Sequence, residues 1–156
     1  MCMKKILFIL LLSPLAFAEK NEMIPLGDYI DGIEGDLEAS EFLYVSYRCA
    51  GLYGMMYALM ESAPQEGASD AAKRLSEAQT ASVAIAELLY NELTPEDERD
   101  FTDNLTRSVL PIADNYQREA NTSWTNSGSY FNDYIQSDAN ICRMMIENYN
   151  KGMEKK

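Results

Sequence analysis

The sequence predicts an all-α protein built as an antiparallel four-helix bundle, and three observations favour that class. Apolar residues recur at spacings of three and four in four long segments, which is the period of an amphipathic helix. Short breaks containing polar residues, proline or glycine separate these segments, as in a bundle whose successive helices run up and down. Cys49 and Cys142 lie on the first and fourth segments, which are antiparallel neighbours in this topology. We therefore expect one interhelical disulfide between them.

Residues 1–18 have the features of a cleavable signal peptide. Two lysines precede the uninterrupted apolar residues 6–12, and Ala16 and Ala18 give the small-x-small pattern of a cleavage site. The apolar run is shorter than the ~20 residues that span a bilayer. We expect cleavage after Ala18, which gives a periplasmic or secreted protein with no stable membrane insertion after cleavage.

The remaining chain divides into an acidic loop or arm, residues 19–35, and a single helical bundle domain, residues 36–156. The arm contains Pro25 and three glycines, which disfavour a long helix, so we expect it to be irregular. Its carboxylates do not follow the spacing of an EF-hand calcium loop. A solvated acidic lead-in is therefore the expected role, and no metal site is assigned.

The first predicted helix, residues 36–60, carries two stripes. The apolar stripe contains Phe42, Val45, Cys49, Leu52, Met56 and Leu59. The second stripe, called the small-residue face below, consists of Ser46, Ala50, Gly54 and Ala58. Residues four apart share one side of a helix, so this face lets another helix approach closely. That helix belongs either to the same bundle or to a second copy in a homo-oligomer.

The second and third predicted helices are separated by a strong local signal. The second covers residues 69–93. Thr94 is a good N-cap and Pro95 a good first residue for the third helix. Pro111 lies inside that helix, where it removes a backbone hydrogen bond and is expected to kink or split it.

Residues 121–129 are predicted as a polar turn that leads into the fourth helix, residues 130–151. An aromatic cluster lies at this turn and is made of Trp124, Tyr130, Phe131 and Tyr134. Aromatic rings beside amide side chains bind sugars or peptides, because the rings stack on apolar faces while the amides bond to polar edges. The alternative is that these rings cover the end of the core.

Asp138 is the second candidate contact for a ligand or partner, because it lies on the apolar stripe of the fourth helix, one turn before Cys142. A buried carboxylate needs a partner. The register set by the cysteines places Tyr53 opposite Asp138 and Arg48 nearby. Two interpretations remain open: a polar pocket beside the disulfide, or a structural position that is either a satisfied buried pair or an edge open to water.

The chain contains no histidine, and this excludes several chemistries. Ser-His-Asp and Cys-His catalytic sites cannot be built, and neither can His-ligated zinc, copper or non-haem iron sites. The methionines on the first and fourth helices are typical of adaptable core packing rather than of a Cu(I) site. We expect no cofactor and no catalytic residue.

The charge balance narrows the class of partner. Thirteen basic residues stand against 25 acidic ones, a net charge of −12, and loss of Lys4 and Lys5 with the leader makes it −14. This disfavours binding to nucleic acid or to anionic membrane surfaces. The sequence favours a non-enzymatic exported binding or interaction protein that contacts a protein or a small ligand. The alternatives are a holding chaperone of the cell envelope and a carboxylate-based hydrolase, which needs two carboxylates across a cleft.

Overall fold

The computed structural model describes residues 23–63 and 67–153, so the predicted leader, residues 1–18, lies outside the described residues. Within those ranges the chain is all α and contains no strand, which confirms the predicted fold class. The five α-helices are α1 (Leu26–Asp31), α2 (Ala39–Glu61), α3 (Ala68–Leu93), α4 (Phe101–Ser127) and α5 (Asp133–Met153). In this part of the chain we find no helix whose length and apolar character suit a bilayer crossing.

Helix α2 lies at the centre of the bundle. Every residue from 45 to 53 is buried, so the helix is covered on all sides. It packs against α3, α4 and α5. Its pairing with α5 is antiparallel, because Cys49 pairs with Cys142 while Tyr53, further along α2, reaches the earlier residue Ala139. The predicted arrangement of the first and last long helices is therefore present.

Helices α2 and α4 pack closely at Gly51. A Cβ atom at this position would lie 2.7 Å from Cγ2 of Ile112 and 3.1 Å from the backbone nitrogen of Ala113. A side chain at this position would displace the side chain of Ile112 and press on the backbone of α4. Glycine costs about 1 kcal/mol in helix propensity relative to alanine, and the close packing of the two helices offsets that cost.

The small-residue face packs inside the bundle over most of its length. Ser46 and Ala50 are buried, and a Cβ atom at Gly54 would lie 2.7 Å from Nε2 of Gln79 on α3. Ala58, at the end of the face, is exposed. In this fold the small residues allow α2 to be enclosed by its neighbours.

The predicted start of the third long helix at Thr94 and Pro95 is wrong. Thr94 is the C-cap of α3, and Pro95 has an extended conformation that precedes a 3₁₀ turn, Glu96–Glu98. Helix α4 begins only at Phe101, where the carboxylate of Asp100 caps it by accepting a hydrogen bond of 3.0 Å from the amide of Asp103. Thr94 and Pro95 carry an N-terminal signature, but the helix uses the later cap.

Helix α4 is longer than predicted. It is not split at Pro111, which is exposed, and it continues through most of the predicted turn at 121–129. The hydroxyls of Thr122 and Thr125 donate to carbonyls one turn earlier, at 2.9 Å each, so these polar residues are accommodated within the helix. Gly128, with φ of 73°, ends it.

The predicted arm is not irregular throughout, because residues 26–31 form α1. The carbonyl of Pro25 accepts the first hydrogen bond of this helix, 3.0 Å from the amide nitrogen of Tyr29. Leu26 is fully buried and packs in the core of the bundle. Residues 23–31 of the arm therefore dock on the domain, while the glycine-containing residues 32–38 lead to α2.

Candidate functional site

The largest group of polar side chains in the core surrounds Asp138. Its Oδ2 atom accepts from Nη2 of Arg48 and from the hydroxyl of Tyr116, at 2.6 Å each. Both members of this ion pair are 0 % exposed. A buried pair carries a desolvation cost that is repaid only when the remaining donors and acceptors are also satisfied.

The remaining donors of Arg48 are satisfied by tyrosine hydroxyls and by the backbone. Its Nε atom donates to the hydroxyl of Tyr116 at 3.0 Å, and its Nη2 atom to that of Tyr134 at 3.4 Å. Its Nη1 atom donates to the carbonyl of Ile24 at 3.0 Å. In the described part of the chain, every buried side-chain nitrogen or oxygen has a hydrogen-bond partner.

Burial changes the titration of the tyrosines in this network. Desolvation raises the pKa of Tyr134 to about 12, although the positive charge of Arg48 acts in the opposite direction. Desolvation also raises the pKa of Tyr116 well above its usual range. The pKa of Arg48 is raised as well: burial lowers it, but the surrounding tyrosine hydroxyls outweigh that effect. The network therefore holds Arg48 charged and the tyrosines neutral at ordinary pH.

Of the two predicted neighbours of Asp138, one bonds to it and the other does not. Arg48 is its direct partner, whereas the hydroxyl of Tyr53 donates to the carbonyl of Ala139 at 3.4 Å and does not bond to Asp138. Tyr116, which the sequence analysis did not single out, takes the place expected for Tyr53. Of the two interpretations given above for Asp138, the geometry matches a satisfied buried pair.

The predicted disulfide lies directly beside this network. The Sγ atoms of Cys49 and Cys142 are 2.06 Å apart and the Cα atoms 5.4 Å apart, across 93 residues of sequence. Cys49 follows Arg48 on α2, and Cys142 lies one turn after Asp138 on α5. The covalent bond and the ion pair therefore fasten the same two helices at neighbouring levels.

The aromatic cluster at the predicted turn divides into two environments. Tyr134 belongs to the Arg48 network, whereas Trp124 and Tyr130 form a surface pair, called the aromatic pair below. Their rings are stacked, with centroids 4.6 Å apart and planes inclined by 13°. Trp124 is 50 % exposed, and Tyr130 is half-buried. One face of the indole is covered by Tyr130, so much of the other surface is in contact with water.

No serine or threonine hydroxyl in the described ranges donates a hydrogen bond to a basic or carboxylate side chain. The hydrogen bonds that serine and threonine hydroxyls donate there go to backbone carbonyls, apart from an additional one from Ser46 to the sulfur of Met145. A hydroxyl becomes a nucleophile when an adjacent base accepts its proton. Among the same residues, no three His, Cys, Asp or Glu side chains are arranged to hold a metal ion.

A groove of about 530 Å³ lies between the end of α2 and the start of α3. Glu61, Lys73 and Glu77 are among its lining residues, and all three are exposed. The hydroxyl of Tyr57 donates to Glu61 at 2.7 Å. The groove is open to water and does not include any of the predicted contact residues.

Comparison of the chain with protein-family models, with curated proteins and with solved structures finds no match. Four of the six predicted contact residues, Arg48, Tyr53, Tyr134 and Asp138, lie in or beside the core network, and two, Trp124 and Tyr130, are at the surface.

Proposed function

We propose that this protein is an exported, non-enzymatic binding protein that contacts its partner or ligand through the aromatic pair of Trp124 and Tyr130. The observation that carries the proposal is the half-exposed indole on a disulfide-tied bundle. Tryptophan and tyrosine are enriched among residues that dominate binding energy at interfaces, because they bury much apolar area with few rotatable bonds.

The position of the pair suits a recognition surface. Tyr130 lies between α4 and α5 and supports the indole from one side. The hydroxyl of Ser123 donates to the carbonyl of Ser129 at 2.6 Å and ties the connection to α4. A ring held in this way loses little conformational freedom on binding, which improves affinity. The acidic charge of the chain favours a neutral or cationic partner.

Export is supported by the leader and agrees with the disulfide, because disulfides persist in oxidising compartments. The test is expression of the whole chain in a bacterium, followed by N-terminal sequencing of the protein in the periplasmic fraction. We expect Glu19 as the first residue. Ala18→Phe should block cleavage, whereas Phe17→Ala, at the position between the two small residues, should not. A cytoplasmic chain that keeps Met1 would contradict export.

The binding proposal is tested with the aromatic pair itself. Trp124 is the only tryptophan in the chain, so its fluorescence reports on this surface alone. We expect the purified protein to be crosslinked to a partner in envelope extract, and Trp124→Ala to abolish that crosslink. The matched control is Leu110→Ala, which removes an apolar side chain that is 59 % exposed on the same helix. Equal loss of the crosslink in both variants would contradict the assignment.

The two alternative functions have weaker support. A holding chaperone of the envelope would offer clients an exposed methionine surface, but Met55 is buried, Met56, Met60 and Met145 are partly buried, and Met144 is exposed. A carboxylate-based hydrolase would use a cleft such as the groove with Glu61 and Glu77. The openness of that groove to water argues against it, since glycosidic cleavage needs carboxylates positioned around an enclosed bond.

A further inference from the structure

The segment of residues 23–26 is held on the bundle through its backbone. The amide of Leu26 donates to Oδ1 of Asp138 at 2.7 Å. Nη1 of Arg48 donates to the carbonyl of Ile24 at 3.0 Å. The hydroxyl of Tyr134 donates to the carbonyl of Met23 at 3.0 Å. Three side chains from α2 and α5 thus bind two carbonyls and one amide of this segment, as peptide-binding proteins bind the main chain of their ligands.

Leu26 is the fully buried side chain of this segment, and Met23 is partly buried against the core. Leu26 is 0 % exposed, whereas Ile24, two residues earlier, is 53 % exposed. Between them, Pro25 keeps the backbone extended, with ψ of 143°, and lets α1 begin directly after it. The bundle therefore recognises an extended backbone that ends in a leucine, and it places little demand on the residue before the proline.

The recognising side chains also hold one another. Arg48 and Asp138 are joined directly, and both bond to Tyr116. The disulfide also fixes α2 to α5, since Cys49 lies one residue after Arg48 and Cys142 lies one turn after Asp138. None of these contacts involves the segment. A site whose donors and acceptors are held in place without the ligand spends less free energy on ordering when the ligand binds.

We propose that the cleft between α2 and α5 is a peptide-binding site, that residues 23–31 are its tethered ligand, and that the same segment of a second copy can occupy it. The connection to α2 consists mostly of exposed residues and includes Gly35, which has φ of 98° and no neighbour within 4 Å of the position of a Cβ atom. A second copy carries an identical segment, and exchange of identical elements between protomers is a low-cost route to dimers.

The test uses the whole chain with a protease site inserted after Glu34. After cutting, the segment should stay with the bundle on size exclusion and should exchange slowly with a fluorescent peptide of residues 23–33. A competitor peptide with Ile24→Ala should displace the label as well as the native peptide does. One with Leu26→Ala should be weaker by about tenfold or more, because burial of the leucine side chain is lost. The uncut chain should take up little label, since its own segment is tethered.

Three results would overturn the proposal. The first is equal competition by the two variant peptides. The second is failure of the label to exchange even in mild urea. The third is loss of the helical circular dichroism when the segment leaves, because a binding site must survive without its ligand.

Refolding of the uncut chain at high and low protein concentration tests occupancy by a second copy. A dimer should form at high concentration only. A monomer at both concentrations would contradict binding of the segment from a second copy.

Discussion

The Arg48–Asp138 network and the aromatic pair each include a residue of α4, and they have opposite relations to water. Tyr116 in the core and Trp124 at the surface are two turns apart on α4. The charged residues are enclosed and every polar atom has a partner, whereas a large apolar ring remains half in solvent. From residue type alone, the charged residues would be expected at the surface and the large aromatic ring in the core. Here the buried charges hold α2 to α5 and bond to the segment of residues 23–26, whereas the exposed aromatic ring is available to contact a partner.

The disulfide gives the largest expected effect on the core side of this comparison. Cys49→Ala with Cys142→Ala should lower the free energy of unfolding by about 4–5 kcal/mol, because the bond closes a long loop in the unfolded chain. Urea unfolding measures this. Dithiothreitol should destabilise the unchanged protein to a similar extent and leave the double variant unaffected. A double variant of native stability would mean that the network alone holds α2 to α5.

Loss of the buried carboxylate comes next. Asp138→Asn should cost about 3–5 kcal/mol, because Arg48 stays buried without a counter-charge. The control is Glu147→Gln on the same helix, which breaks an exposed ion pair with Arg143. That change should cost less than about 1 kcal/mol. Similar values for the two variants in urea unfolding would show that the buried pair has no special role.

The stability of the fold at alkaline pH depends on the buried tyrosines. Burial raises the pKa of Tyr47, Tyr53 and Tyr134 to about 12 each, from the usual value of 10.0. The folded state therefore keeps protons that the unfolded state loses, so stability is complete below pH 10 and falls as the pH rises from 10 toward 12. The slope is about 1.4 kcal/mol per pH unit for each fully shifted tyrosine. Urea midpoints that stay level up to pH 12 would contradict this, and Tyr134→Phe should reduce the slope.

The smallest expected change in stability is at the surface. Trp124→Ala should cost about 0.5–1.5 kcal/mol, the value of a stacked aromatic contact, while it removes the proposed binding. Unfolding in urea and crosslinking to the partner are measured on the same preparation. A cost as large as that of Asp138→Asn would place Trp124 among the structural residues and remove the contrast between the two regions.

The sequence was sufficient to predict those features that depend on local periodicity. The spacing of apolar residues predicted the helices and the bundle, and the two cysteines placed α2 and α5 side by side. Asp138 on an apolar stripe signalled a buried polar contact. Its position four residues before Cys142 also identified the neighbourhood of Arg48.

The features that the sequence analysis missed depend on contacts distant in the chain. Nothing in the spacing indicated that Tyr116 bonds to Asp138 or that the amide of Leu26 does so from 112 residues away. The end of α4 was also misjudged, since threonines at 122 and 125 can bond to the preceding turn and remain helical. The one available signal for this contact was the position of Tyr116 on the apolar stripe of α4, because a buried tyrosine hydroxyl needs a hydrogen-bond partner.

The central position of α2 has a consequence for the order of events during synthesis. Arg48 emerges long before Asp138, which follows it by 90 residues. Until α5 has been made, the helix that the bundle encloses carries a positive charge without Asp138 beside it and a Cys49 thiol without Cys142, its disulfide partner. Chains usually fold from their N-terminal end as they are made. In this protein α3 and α4 alone cannot complete the burial of α2, so the bundle of the nascent chain can close only after α5 has been made.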